Sequence, residues 1–399
     1  MDRREFLSGA AGAGAAVLLL GTAGAEAAHH EGAGTPSAQA LAELRDAIAN
    51  IESRLRAEWR LASDDEVAEG RRAILHHLHH GIEAWLDADP ARPVFKRFVT
   101  PEKKLLGDNP DAIYYTTAID PAGSYRIRGN LAGATYTSFT VENGSAGGAN
   151  ATGLGATLND TQFEAAADGS YEIIASATEQ PGNWLELGPE AGSVTTRHYY
   201  EREQSIALDR LHHVPIAIEP LADPGPAPRP SDASIARGIR RVTRFLTGTL
   251  APPNPGLALP WVSTVPNRFN PPAPDDGNDA IGFAAVDNVY AMAPFVLKPD
   301  EALVMTGRFP KCRFANVVLW NRFIQTFDYT RRRTSLNRKQ VAPEDDGGFR
   351  IVVAARDPGV PNWMDTAGHA IGTIFWRFQL PEEPLTAIAT EVVPVGSLA

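Results

Sequence analysis

From Leu41 onward, apolar residues return every three or four positions: Leu41, Leu44, Ile48, Ile51, Leu55 and Trp59 form one stripe. That spacing predicts an amphipathic helix. Thr35 and Pro36 supply its start, since a hydroxyl caps an orphan amide and proline lacks the amide that a first turn leaves unpaired. A second helix follows from Ser63-x-x-Glu66, a capping box ahead of Ile74, Leu78, Ile82 and Trp85. The two are expected to form an antiparallel hairpin. A third helix is predicted from near Asp232, with Ile235, Ile239, Val242 and Leu246 on one face. Elsewhere the runs are short and β-branched. Segments 136–141, 194–200, 314–320 and 372–378 read as strands.

The strands belong to a repeat. Residues of 125–200 return about 178 positions later in 303–378. Asn143 matches Asn321, Leu158-Asn159 matches Leu336-Asn337, Gln162 matches Gln340, and Asp168-Gly169 matches Asp346-Gly347. After one inserted residue, Asn183-Trp184 matches Asn362-Trp363, and Arg197 and Arg377 close the copies. Matches held at one offset imply an internal duplication. In each copy Asp-Gly precedes an apolar run, Tyr171-Glu172-Ile173-Ile174-Ala175 or Phe349-Arg350-Ile351-Val352-Val353, which predicts a hairpin turn. Frequent glycine and proline between short strands favour sandwiches or jelly rolls over a parallel sheet.

The expected fold is therefore mainly β with accessory helices (α+β). It comprises two repeated antiparallel β-sandwich or jelly-roll-like domains and an N-terminal helical hairpin. The divisions are a signal at 1–28, the hairpin at 29–95, the first sandwich at 96–222, a bridging helix and proline-rich arm at 223–285, and the second sandwich at 286–399. The prolines of 251–276 predict an extended arm on the surface.

The first residues bear on where the protein works. Arg3-Arg4-Glu5-Phe6-Leu7 fits the twin-arginine export pattern, and Ala23-Gly24-Ala25 and Ala25-Glu26-Ala27 fit small-residue cleavage sites. The weakly apolar run between them, Gly9 to Leu20, is shorter than the ~20 residues a membrane span needs. A periplasmic or secreted protein is expected, with the twin-arginine translocase as its partner during export and no stable membrane span. A formal charge of −11 argues against nucleic acid as a partner. Cys312 is the one cysteine, so no internal disulfide forms. It reads as a small buried strand residue, although Lys311 and Arg313 flank it.

The second copy resembles a known family. The residues that carry the likeness are Gly307-Arg308-Phe309-Pro310, Leu319-Trp320-Asn321-Arg322, Asp328-Tyr329, Ser335-Leu336-Asn337, Asp357-Pro358-Gly359-Val360-Pro361-Asn362-Trp363 and Gly372-x3-Trp376-Arg377. Together they resemble the bacterial domain-of-unknown-function family 1214. The likeness is fullest over 307–383 and extends more weakly to the first copy, through Asp168-Gly169-Ser170 and Gly182-Asn183-Trp184-Leu185. The resemblance implies a β-sandwich and brings no catalytic residues with it.

Positions common to both copies are expected to serve their common scaffold. The paired asparagines and aspartates then cap turns, and Trp184 and Trp363 anchor cores. Positions peculiar to one copy are the functional candidates. Where the first copy has the bland segment 144–157, the second has an aromatic and guanidinium-rich run from Arg322 to Ser335. Guanidinium forks bind carboxylates and phosphates, and aromatic faces stack on rings. Trp320, Arg322, Gln325, Arg331, Arg332, Arg333, Arg356 and Trp376 are the candidate substrate-binding residues. These arginines have an alternative use in pairing with Glu344, Asp345 and Asp346, or in an interface with the first copy.

Asp328 and Asp365 are the candidate catalytic carboxylates, with His369 or Tyr329 as a proton carrier. His76 and His80 lie four apart on the second predicted helix, a spacing that admits a divalent metal if His198, His212 or His213 joins them. The sequence requires no cofactor, and it contains no nucleophile elbow, Walker loop or dinucleotide fingerprint. Three readings follow. The first is an exported carbohydrate-active hydrolase for an anionic or sugar substrate, a small molecule or oligosaccharide. The others are a non-catalytic exported ligand-binding or envelope protein and a metal-dependent periplasmic enzyme.

Overall fold

The computed structural model describes residues 34–251, 259–274 and 285–398. The expected signal at 1–28, His29-His30, and parts of the proline-rich arm lie outside them. The helices begin where their caps place them. Helix α1 spans Pro36–Glu58, and the Thr35 hydroxyl accepts the Ala38 amide at 3.3 Å. Helix α2 spans Asp64–Gly81 behind the Ser63/Glu66 box, then adds one wider turn over Ile82–Leu86. Helix α3 spans Asp232–Thr249 behind a Ser231/Ser234 box. Its Val242 and Phe245 join a buried cluster with Tyr136 and Tyr199 of the first unit and Phe314 of the second. It packs along α1, where Arg240 grips Glu43 with two bonds of 2.8 and 3.1 Å, so the hairpin is part of a three-helix layer. Ile51, Leu55 and Trp59 of the first stripe are buried against Ile74 and Leu246, whereas Leu41 is 51% exposed.

The duplication holds strand by strand. The first unit contains β1 (Lys96–Arg97), β2 (Ala112–Ala118), β3 (Ser124–Asn130), β4 (Tyr136–Asn143), β5 (Gly153–Asn159), β6 (Ser170–Ser176), β7 (Trp184–Glu186), β8 (Ala191–Tyr199) and β9 (Ile216–Pro220). The second contains β10 (Ala273–Pro274), β11 (Asn288–Val296), β12 (Glu301–Gly307), β13 (Phe314–Trp320), β14 (Ser335–Asn337), β15 (Phe349–Ala354), β16 (Trp363–Asp365), β17 (Ile371–Gln379) and β18 (Ala389–Pro394). The inner sheets run β1-β2-β8-β4-β5 and β10-β11-β17-β13-β14, and the outer sheets run β7-β6-β3-β9 and β16-β15-β12-β18. The same order therefore occurs twice. Each outer sheet is mixed, since β7 joins β6 and β16 joins β15 in parallel.

Shared residues do shared structural work. The side chains of Gln162 and Gln340 accept the amides of Asn159 and Asn337 at 2.9 and 3.0 Å. Asn183 and Asn362 each bond three backbone groups of neighbouring segments. The indoles of Trp184 and Trp363 are half-buried and donate to the carbonyls of Ser176 and Ala354. The two Asp-Gly turns are real, with Gly169 and Gly347 both at φ 81°. They do not close hairpins. β5 and β14 lie in inner sheets while β6 and β15 lie in outer ones, so each turn delivers the chain from one sheet to the other.

Each sandwich encloses its own core. Phe139, Val141 and Val194 meet Ile127 and Ile173 in the first, and Val317, Leu319 and Trp376 meet Leu303 and Ile351 in the second. Burial of each such side chain contributes about 1.5–3 kcal/mol. The outer faces of the two inner sheets then turn toward each other. Tyr199 packs on Phe314 with ring centres 5.1 Å apart, and the Tyr136 hydroxyl bonds Asp287. The described part of the arm does more than lie on the surface: Trp261 is buried against Tyr290 and Phe375, at 5.1 and 5.8 Å.

Candidate functional site

The aromatic and arginine run of the second unit is a dock for the helical layer. Phe323 is buried with Leu55 and Trp59, and Arg322 donates to the Trp59 carbonyl at 3.2 Å and lies 3.5 Å from Glu66. Gln325 donates to the Lys104 carbonyl at 2.6 Å, and the Lys104 ammonium sits 4.3 Å above the buried Tyr329 ring. The matching loop of the first unit also meets the layer, where Arg244 of α3 donates to the Gly147 carbonyl. Trp376 is a core residue, stacked between Phe349 and Phe378. Arg356 reaches the Pro299 carbonyl on a distant exposed edge. Of the expected substrate clamp, Arg331, Arg332 and Arg333 stay exposed.

The candidate acids are already committed. Asp328 accepts the amide and hydroxyl of Thr330 and pairs with Arg331 at 2.7 Å; despite some desolvation, these bonds hold it at about 2. Asp365 caps the Ala367 amide at 2.7 Å and pairs with Arg332 at 2.7 Å. His369 does not pair with Asp365. Its Nε2 lies 3.1 Å from Glu69 of α2, its Nδ1 faces the Thr366 carbonyl, and its ring stacks on Phe327 at 4.4 Å. Burial pulls its pKa down, but bonding and attraction to Glu69 prevail and raise it.

The histidine pair does not converge on a metal. His76 Nδ1 accepts the Lys104 amide at 3.3 Å, while His80 is wedged between Phe98 and Phe245 at 4.4 and 5.2 Å. His198 lies between Thr137 and Thr196, and His212 bonds the Tyr200 hydroxyl at 2.8 Å. Among the described residues, no group of three His, Cys, Asp or Glu side chains is placed to hold a metal. Cys312 is half-buried in a loop, not a strand, and burial raises its thiol to about 11 against the nearby Arg338.

Polar chemistry collects instead between the inner sheets. Arg197 and Arg377 stand at equivalent positions of β8 and β17, 2% and 5% exposed. Arg197 donates to the Thr140 hydroxyl at 2.7 Å and lies 3.6 Å from buried Glu142. Arg377 donates to the Gly107 carbonyl at 2.7 Å, with its guanidinium 4.5 Å from the Phe375 ring centre and 5.1 Å from that of Trp320. Trp320 stacks on Phe375 at 4.5 Å and donates to the Asp108 carbonyl at 2.9 Å. Gly107 has φ 76° and lies against that indole, so a side chain there would strain both.

Around Arg377 the protein leaves polar atoms without partners. Among the described residues these include Arg377 Nη1, Asn316 Oδ1, both amide atoms of Gln379, and Asn288 Oδ1. They are neighbours: Asn316 is registered opposite Arg377, Gln379 follows two residues along the same face, and Asn288 is opposite Gln379. All four side chains are buried. Asp111 borders them and accepts from Asn316 and Asn337 at 3.0 and 3.1 Å; burial raises its carboxyl to about 6 in spite of those bonds. In the sequence only Arg377 marks this group, as an arginine set among apolar residues in Phe375-Trp376-Arg377-Phe378.

One solved structure shares the fold over most of the chain. No curated protein matches the chain. A Burkholderia cenocepacia protein described as uncharacterized, known from its crystal structure, superposes with a TM-score of 0.78 at 27% identity, over 90% of this chain and 98% of that one. A Vibrio parahaemolyticus protein aligns at a TM-score of 0.46 and 10% identity, over 81% of this chain and 98% of that one. A family model described as a protein of unknown function, DUF1214, matches residues 111–203. That segment lies within the first unit, whereas the sequence likeness is fuller in the second. The chain is thus similar to the DUF1214 proteins of unknown function over residues 111–203 of its first unit, and to the Burkholderia cenocepacia protein in fold over 90% of its length.

Proposed function

We propose that this is a binding protein that holds a small polar molecule between its two sandwiches. One observation carries the reading: Asn288, Asn316, Arg377 and Gln379 present buried, unpartnered polar atoms at adjoining positions of one sheet face. Each such atom costs about 1–3 kcal/mol when left unmatched. Native folds leave few of them, and a group of convergent ones supports a ligand site. Binding is favoured over hydrolysis because Asp328 and Asp365 already serve as turn caps and arginine partners. Export belongs to the same proposal and rests on Arg3-Arg4 and the small-residue sites after them. N-terminal sequencing of protein from a periplasmic fraction checks it.

Native mass spectrometry of gently purified full-length protein tests the binding reading. A non-covalent small-molecule adduct is expected, and it should be lost in an Asn316→Leu, Gln379→Leu double variant that still folds. An adduct unaffected by that variant, or no adduct at all, refutes the assignment. Turnover of oligosaccharides that vanishes in Asp365→Asn would restore the hydrolase reading.

A further inference from the structure

We infer that the bound molecule is a small organic acid, anchored by its carboxylate on Arg377. The inference rests on the binding reading above and narrows it.

The first unit supplies the template. Its arginine, Arg197, is satisfied by the Thr140 hydroxyl and faces the Glu142 carboxylate at 3.6 Å. Register places Thr140 opposite Thr195 and Glu142 opposite Ser193 on β8. The corresponding pairs in the second unit are Val318 with Phe375 and Trp320 with Thr373. The duplicated arginine has therefore kept its place while both of its side-chain partners have become apolar. The ring faces of Trp320 and Phe375 attract the cation, but they accept no hydrogen bond in the plane of the fork. The charge of Arg377 reaches Asp108. Among the described residues no hydrogen bond joins the two, and the oxygens of Asp108 accept the amide and hydroxyl of Thr326.

What is missing at Arg377 is thus what Glu142 provides at Arg197, and a ligand carboxylate restores it. Nη1 donates one bond, and the Gln379 amide is placed along the same face as a second donor. Asn316 Oδ1 and Asn288 Oδ1 are acceptors, so the acid should also carry hydroxyl or amino donors.

The test is calorimetric titration of the full chain with glucuronate and gluconate, against glucuronamide, glucose and inorganic phosphate. At least one acid should bind about tenfold or more tightly than its neutral counterpart, and Arg377→Gln should weaken it about tenfold or more. Trp320→Glu supplies an internal carboxylate like that of the first unit and should also exclude the acid. Circular dichroism checks that each variant is folded. Arg377→Lys, which keeps the charge and loses the fork, replaces any variant that is not, and should bind with intermediate affinity. Equal binding of acid and amide, undiminished acid binding by Arg377→Gln, preference for phosphate, or no acid binding at millimolar concentration overturns the inference. A neutral adduct in the mass spectrum without acid binding defeats this inference alone, whereas the absence of any adduct defeats the binding reading as well.

Discussion

A Cβ on Gly70 of α2 would stand 2.8 Å from Cζ of Phe323, and 3.0 Å from Leu55 Cδ1. The helix therefore approaches the second unit more closely than any larger residue allows. Helix propensity alone favours alanine over glycine by about 1 kcal/mol. Overpacking costs about 1–3 kcal/mol, and Phe323 is held against Trp59 at 5.6 Å. Gly70→Ala should lower the unfolding free energy, and adding Phe323→Leu should recover part of the loss. A Gly70→Ala protein that melts higher than the parent would show that this contact yields easily.

The His369–Glu69 pair gives stability a dependence on pH. The folded pKa of His369 is raised, so its contribution is complete below the unfolded value, about 6.5. It disappears as pH rises through the folded value. Glu69→Gln should cost stability at pH 5.5 and little at pH 9. Urea unfolding at both values measures this, and equal losses would contradict it.

His77 and His198 act in the opposite direction. Burial lowers them to about 4 and about 3, so each is held neutral in the fold. Their contribution is present above about 6.5 and is lost as pH falls toward those values, at up to about 1.4 kcal/mol per pH unit for each. Melting temperature should fall between pH 6.5 and 4, and less steeply in His198→Gln. An unchanged slope would remove His198 from the account.

The arginines of 322–333 should differ in worth. Arg322 bonds the Trp59 carbonyl and lies 3.5 Å from Glu66, while the Arg331 side chain is 80% exposed. Arg322→Ala should cost about 1–2 kcal/mol in chemical denaturation, and Arg331→Ala less than about 0.5. The reverse order would undo the reading of this loop as a helix dock.

The repeat was legible because turn and capping residues such as Asn159/Asn337 and Asn183/Asn362 perform a local task that tolerates few replacements. Helix starts at Thr35 and Ser63 were legible for the same reason. Partners distant in the chain were not. Phe323 and Arg322 look like an exposed adhesive surface until Trp59 and Glu66 are seen beside them. Thr140 stands between Phe139 and Val141 as a solvent-facing position would, and only the meeting of two sheets buries it. The exchange of Glu142 for Trp320 was within reach at the offset of the repeat.

The three-helix layer also orders events during synthesis. Chains emerge N-terminus first, and α1 and α2 leave the ribosome long before Phe323. Yet Phe323 completes the cluster that buries Ile51, Leu55, Trp59 and Ile74. The cover over this early segment is therefore completed late, so a product stopped short of the second sandwich leaves part of that cluster open.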